Sequence, residues 1–162
     1  DESVVVEPVF YQMEVKNTLD DNLMLFYTKL KRDASEVLKT QNRAISKKRK
    51  VLQKMRDLVH PLKDVLSGKN NVNVFGEILH KNWMLKKSIT DQVSSAKIDV
   101  YYDKAIAAGA IGGKLLGAGG GGFLLFYVEK KNQNSVREVL SELYELKFEL
   151  DTDGTRITYY DQ

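Results

Sequence analysis

Glycine is concentrated in one stretch of the sequence, between residues 109 and 128, which holds eight of the chain's eleven glycines. Each glycine loses about 0.5–1 kcal/mol more backbone entropy on folding than alanine, so the stretch needs a physical reason. Leu115 and Leu116 precede the densest run and the apolar residues 123–128 follow it, which indicates strand, tight loop and strand rather than a flexible linker. The bare backbone of such a loop can approach an anion or another loop closely.

Two known phosphate-binding motifs match this run only in part. Gly117, Gly119 and Gly122 have the spacing of the dinucleotide-binding motif, but residues with strand character follow them, whereas that motif needs a helix N-terminus for the pyrophosphate. Lys114 follows a glycine, yet leucine stands where a Walker loop needs serine or threonine. A backbone site for an anion and a tight hairpin packed under a helix remain as alternatives.

Side chains outside the glycine run give weaker functional signals. Trp83 and Lys86 are three residues apart on a predicted helix, so both side chains can contact one ligand, a sugar and its phosphate. The alternative is that Trp83 is a core residue and Lys86 a surface lysine. The other candidates are interpreted as structural or solvated helix residues: His60, His80, Asp99 and Asp103. No serine, histidine and acid combination indicates a nucleophile.

Hydrophobic patterning predicts the elements that position these residues. In the first half, strands are expected at residues 3–11 and 23–28, with a turn at residues 20–22 between them. A long helical stripe then runs from about residue 33 to a stop at Gly68. Pro61 should kink this helix or divide it.

The second half of the chain is predicted to contain three helices and two hairpins. A helix follows residues 70–71, and the next is capped by Ser94 or Ser95 and ended by Gly109. The glycine-rich hairpin comes next, and Ser135 with Glu138 forms a capping box for a last helix, before a hairpin at residues 148–160. This order predicts an α+β fold, a ferredoxin-like split βαβ with an antiparallel sheet and additional helices.

Length and composition favour one domain over residues 1–162 with a core of ordinary size. The sequence contains no cysteine, which fits a reducing compartment, so a cytoplasmic location is expected. No apolar run reaches the about 20 residues of a membrane helix, and the net charge is only +3. Neither a membrane nor a nucleic acid is therefore an expected partner. The chain starts at Asp1 without a methionine, which favours a piece of a longer protein.

Residues 112–123, Gly-Gly-Lys-Leu-Leu-Gly-Ala-Gly-Gly-Gly-Gly-Phe, resemble the third signature motif of the GHMP kinases, the superfamily of galactokinase, homoserine kinase, mevalonate kinase and phosphomevalonate kinase. The resemblance extends to residues 80–86 and 98–105, and more loosely to residues 32–38 and Gln41. This combination is similar to the sugar-kinase branch that contains D-glycero-D-manno-heptose 7-phosphate kinases and fucokinases. Other branches commonly carry threonine at the position of Leu116.

The resemblance implies the carboxyl-terminal half of an ATP-dependent sugar-phosphate kinase that is inactive without its amino-terminal domain. A heptose 7-phosphate is the expected acceptor, and fucose or another sugar is the alternative. ATP and Mg²⁺ should be held mainly by the amino-terminal kinase domain, which is the expected partner. By analogy, the nucleotide phosphates face a loop formed by Gly117, Ala118, Gly119, Gly120, Gly121 and Gly122. The candidates for the sugar-phosphate side are Trp83, Lys86 and Lys114.

Two further interpretations stay open. A free-standing α+β ligand-binding or regulatory module would keep the glycine loop for packing only. A nucleic-acid binder would use the basic residues 47–50, although the whole basic cluster at residues 47–56 is better explained as a solvated helix face because it lacks aromatic residues. The catalytic base and the oligomeric state, a homodimer included, are left undecided by the sequence.

Overall fold

A four-stranded antiparallel sheet organises the structure, a computed structural model that describes residues 9–30, 48–117 and 121–151. The strands are β1 (Leu23–Tyr27), β2 (Gly112–Leu116), β3 (Phe123–Tyr127) and β4 (Tyr144–Leu146). The helices are α1 (Met13–Asn22), α2 (Arg49–Asp57), α3 (Val59–Leu66), α4 (Val74–Lys87), α5 (Ala96–Ala107) and α6 (Gln133–Val139). Among the described residues, no helix combines the length and apolar character needed to cross a bilayer.

The strand order β2-β3-β1-β4 is that of a ferredoxin-like split βαβ. Strands β1 and β2 both run antiparallel to β3, which lies between them, so they are parallel to each other without pairing. The register places Leu25 between Leu125 and Leu146 in the middle of the sheet. The predicted α+β class and its ferredoxin-like arrangement are confirmed.

The two faces of the sheet bury different clusters. Because side chains alternate along a strand, Met24 and Phe26 point to the face that also carries Leu124 and Phe126, which packs against α5 and α6. Leu23 and the other face contact a second cluster under α1, α3 and the start of α4. The hairpin of β2 and β3 is therefore supported from both sides near the middle of the molecule.

Helix α4 packs against β2, the strand at the edge of the sheet, and two glycines make this contact possible. A Cβ added to Gly112 would lie 1.9 Å from the carbonyl oxygen of Gly76, and one added to Gly76 would lie 2.9 Å from the side chains of Ile111 and Tyr127. The backbones of α4 and β2 are therefore in direct contact at this point. Trp83 lies two turns further along α4, and its side chain packs in the cluster under α5 and α6.

Helix α5 follows the prediction closely. Ser95 is its N-cap and accepts a hydrogen bond from the backbone N–H of Ile98, and Gly109 follows its end with φ of +104°. The predicted apolar stripe is buried at Ile98, Tyr101, Tyr102 and Ala105. This helix carries Tyr102, whose hydroxyl forms a hydrogen bond to the glycine hairpin.

The predicted long helix is divided, as Pro61 suggested. The described part consists of α2 and α3, which meet at Leu58, and Pro61 occupies the first turn of α3, where its missing N–H has no helical partner to lose. Gly68 ends α3 with φ of +75°. The predicted start near residue 33 lies outside the described residues.

Two predictions near the start of the described chain are wrong. Residues 20–22 form the end of α1 rather than a turn, because Val15 and Leu19 bury one helical face against the sheet and outweigh the turn propensity of two aspartates and an asparagine. Residues 9–11 are not in a strand, and residues 3–8 of the predicted strand lie outside the described residues.

The capping box and the last hairpin are also not confirmed. Helix α6 begins two residues before Ser135, because Gln133 donates to the carbonyl of Val128 and Asn132 donates to that of Gly109, which fixes the helix start there. Val139 is 37% exposed rather than buried. Residues 148–150 are not a strand, and β4 lies slightly earlier, while residues 152–160 lie outside the described residues.

We expect Gly112→Ala to lower the free energy of unfolding by about 1–3 kcal/mol, because the new methyl group would overlap backbone rather than a movable side chain. Urea unfolding measures the change. Val100→Ala, at a 51% exposed position of α5, is the control and should change stability by less than about 0.5 kcal/mol. Equal stabilities of the two variants would contradict the close contact.

Candidate functional site

The glycine-rich segment is the loop of a hairpin, as the sequence predicts. Leu116 and Phe123 form the last pair of β2 and β3, so residues 117–122 make the connection. Gly117 has φ of +104° and Gly122 has φ of +108°, a backbone conformation that other residues rarely adopt. Ala118, Gly119 and Gly120 lie outside the described residues. Glycine is therefore required at both described ends of the loop.

The second arm of the loop is fastened to the segment that follows β1. The backbone N–H of Thr28 and its hydroxyl both donate to the carbonyl of Gly122, at 2.9 and 2.8 Å. The N–H of Gly122 donates in turn to the carbonyl of Leu30 at 3.2 Å. A Cβ added to Gly121 would overlap the carbonyl oxygen of Leu30. This arm is held by backbone contacts that admit only glycine.

The first arm, at Gly117, is open. Gly117 is exposed, and a Cβ added there would meet nothing within 4 Å among the described residues. Its carbonyl accepts a long hydrogen bond of 3.5 Å from Nζ of Lys86, near the end of α4. Among the described residues, the loop thus has one fixed arm, at Gly121 and Gly122, and one arm, at Gly117, with free space beside it.

Lys86 and Lys114 place two positive charges beside the open arm. Both side chains are half-buried. Burial lowers the pKa of Lys86, and the nearby charge of Lys114 lowers it further. Among the described residues neither amine forms an ion pair, whereas the adjacent Lys87 pairs with Asp99 at 2.6 Å. Two of the three predicted sugar-phosphate residues are therefore brought together.

Trp83 lies in the core, which was one of its two predicted alternatives. Its side chain is 1% exposed and its ring packs 6.2 Å from that of Tyr102. The indole N–H is buried without a hydrogen-bond partner among the described residues. In this position Trp83 supports the helix turn that precedes Lys86, and its burial leaves no exposed ring face for a sugar.

Tyr102 links α5 to the hairpin, a contact that the sequence analysis did not identify. Its hydroxyl oxygen lies 2.8 Å from Nδ1 of His80 and donates to the carbonyl of Gly113 at 3.4 Å. Burial raises the pKa of Tyr102 well above its usual range, so the hydroxyl keeps its proton. The sequence showed only the apolar stripe of α5, which did not reveal the partner of the buried hydroxyl.

The remaining sequence candidates have structural contacts or exposed positions, and the backbone of His80 lies against Gly112. His60 is exposed on α3, and His80 contacts Tyr102. Asp99 accepts from Lys87 and from the hydroxyl of Ser94 instead of pairing with Asp103, which is exposed. The described charged residues of the basic cluster lie mostly on the exposed face of α2.

The donors around the open arm suit phosphate oxygens. Ammonium groups bind anions, whereas Mg²⁺ prefers carboxylate, carbonyl and water oxygens. Within residues 9–30, 48–117 and 121–151, no group of three or more histidines, cysteines or acids is placed to hold a metal ion. The two lysines beside Gly117 therefore suit an anion such as a phosphate.

Comparison with known protein families assigns this domain to one of them. The family described as "GHMP kinases C terminal" matches residues 62–146, which contain α4, α5 and the whole sheet except β1. The chain belongs to this family. The family resemblance inferred from the sequence is confirmed.

Similar proteins include a sugar-phosphate kinase and, in fold, a mevalonate kinase. The chain is 27% identical over 161 residues to D-glycero-alpha-D-manno-heptose 7-phosphate kinase of Campylobacter jejuni, a match that covers 94% of this chain and 46% of the relative. Methanococcus jannaschii mevalonate kinase is 22% identical, with a TM-score of 0.67 over 83% of this chain and 41% of the other.

A crystal structure of a D-glycero-D-manno-heptose 1-phosphate kinase from Bacteroides thetaiotaomicron is 23% identical, with a TM-score of 0.50 over 91% of this chain and 39% of the other. At this level of identity the solved structures establish the fold. The chain spans less than half the length of each of these three proteins.

We expect Thr28→Val to loosen the fixed arm of the hairpin, because the hydroxyl that donates to Gly122 is lost at nearly constant shape. The free energy of unfolding should fall by about 1 kcal/mol, and amide exchange at Gly122 should accelerate. The matched control is Thr18→Val, which removes an exposed hydroxyl bond to the carbonyl of Glu14 and should cost less than about 0.5 kcal/mol. A smaller effect at Thr28 than at Thr18 would contradict the role of this contact.

Proposed function

We propose that this chain is the carboxyl-terminal domain, residues 1–162, of an ATP-dependent sugar-phosphate kinase that phosphorylates the anomeric hydroxyl of a heptose 7-phosphate. The observation that carries the proposal is the pairing of family membership with 27% identity, along nearly the whole chain, to a heptose 7-phosphate kinase. Another sugar, fucose included, is the alternative acceptor. The cytoplasmic location expected from a cysteine-free sequence stays a prediction.

The geometry of the hairpin supports a role in phosphoryl transfer. This reaction depends mainly on positioning and on stabilising the charge that spreads over the transferred group. A loop rich in glycine, fixed at Gly122 and with free space beside Gly117 among the described residues, would let phosphate oxygens approach closely. Lys86 and Lys114 supply positive charge on the same side. Trp83 would act indirectly, by packing under the helix turn that carries Lys86.

ATP and Mg²⁺ would be bound chiefly by the amino-terminal kinase domain, which is the proposed partner of this chain. Mg²⁺ would neutralise charge on the nucleotide phosphates, and the hairpin would close the cleft from the opposite side. Without that partner the chain should bind neither substrate productively. Turnover of ATP and heptose 7-phosphate by the chain alone would contradict this division of roles.

We expect Gly117→Ala in the full-length enzyme to reduce kcat/KM at least tenfold. The substitution clashes with no described atom, so its effect comes from the positive φ and from a methyl group in the space beside the open arm. Steady-state kinetics with ATP and heptose 7-phosphate measure the change, and circular dichroism checks the fold.

Gly68→Ala is the matched control, because Gly68 also has a positive φ but caps α3 and meets only the flexible end of Gln12. It should lose stability as Gly117→Ala does and keep kcat/KM within about twofold of the wild type. Equal kinetics of the two variants would indicate that the hairpin serves packing only.

A further inference from the structure

We propose that Lys86 and Lys114 act as one unit that binds a single dianionic phosphate monoester beside Gly117. This inference rests on the proposed function in one respect: the phosphate belongs to a substrate of the kinase, either the phosphate that the sugar already carries or the terminal phosphate of the nucleotide. The two lysines would therefore share one ligand that carries two negative charges.

The packing of α4 along β2 brings the two lysines together. Gly76 meets Gly112 at one end of this contact, and Lys86 meets Gly117 at the other. Ten helical residues advance about 15 Å and five strand residues advance about 16 Å, so helix and strand run side by side over this length. Lys114 is the middle residue of β2 and lies between the two contact points. The position of both amines is therefore set by backbone elements.

The charges of the two lysines are not balanced by the described protein. Lys16, Lys69, Lys87, Lys130 and Lys131 each pair with a carboxylate, but Lys86 and Lys114 pair with none among the described residues. Both are half-buried, where water screens repulsion less than at an exposed surface. The lowered pKa of Lys86 reflects its burial first and Lys114 second. An anion of two negative charges would remove this repulsion.

The described residues leave space for a ligand beside Gly117. A Cβ added to Gly117 would meet nothing within 4 Å among them, and the Gly117 carbonyl is the weakly held partner that Lys86 can exchange for a ligand. Each ammonium group offers several N–H donors without a preferred plane, which suits a tetrahedral phosphate. Planar recognition of a carboxylate would favour arginine in these positions.

Binding of inorganic phosphate to the full-length protein tests the site without relying on turnover. We expect Lys86→Gln and Lys114→Gln each to weaken phosphate binding at least tenfold by titration calorimetry, and the double variant to be little weaker than either, because one dianion needs both charges. Lys81→Gln, at an exposed position of α4, is the control and should bind as the wild type does. Unchanged binding in both single variants would overturn the proposal.

The thermal stability of the same variants separates a lost site from a lost fold. Because each glutamine removes one of two repelling charges, Tm without phosphate should equal or exceed that of the wild type. Added phosphate should raise the Tm of the wild type but not of the variants. An equal rise of Tm in wild type and variants would also overturn the proposal.

Kinetics then distinguish the source of the phosphate. If the sugar's own phosphate occupies the site, the glutamine variants raise KM for the sugar phosphate at least tenfold and leave KM for ATP unchanged. If the nucleotide occupies it, KM for ATP rises instead. Arginine at either position should recover part of the loss, and both outcomes support the dianion site. If the protein binds phosphate through these lysines but has no kinase activity, the proposed function is refuted and the phosphate site is not.

Discussion

The close contact between Gly76 on α4 and Gly112 on β2 is the constraint on which the site depends. The backbones of helix and strand can approach this closely only where neither carries a side chain, and this contact positions the residues that follow on both elements. Along α4 it leads to Lys86, and along β2 to Lys114 and the start of the glycine loop. A bulkier residue at either glycine would shift the helix that carries one lysine away from the strand that carries the other.

A second property of the hairpin is its asymmetry. One arm is fixed at Gly122 by three hydrogen bonds to the segment after β1, and Tyr102 holds the strand that precedes the other arm through the carbonyl of Gly113. Gly117 lies between these supports with free space beside it. The proposed role in phosphoryl transfer would need a backbone that is preorganised yet accessible, and the described ends of the loop meet both conditions.

Sequence reasoning succeeded where a local pattern determines the structure. The stripe of α5 and its cap at Ser95 follow from periodicity and side-chain chemistry, and the flanks of the glycine run identified β2 and β3 correctly. It failed where tertiary contacts outweigh local preference. Residues 20–22 have turn propensity, but they extend α1 because Val15 and Leu19 are buried against the sheet.

The sequence identified the candidate residues but not the contacts between them. Lys86 and Lys114 were candidates from the sequence, yet only the packing of α4 on β2 shows that their side chains lie close together. Trp83 lies in the core, an alternative that spacing on a helix could not separate from ligand binding. The bond from Tyr102 to Gly113 joins a helix to a strand edge, and such a bond leaves no local signal in the sequence.

The most direct test of the central claim is hydrogen–deuterium exchange of the full-length protein, followed in peptides that contain residues 113–125. The exchange is compared with and without a non-hydrolysable ATP analogue together with the sugar phosphate. If the hairpin forms one side of a phosphate site, the ligands should slow exchange in these peptides and leave those of α2, on the exposed basic face, unchanged. Protection elsewhere in the protein, with unaltered exchange in the hairpin, would contradict the account.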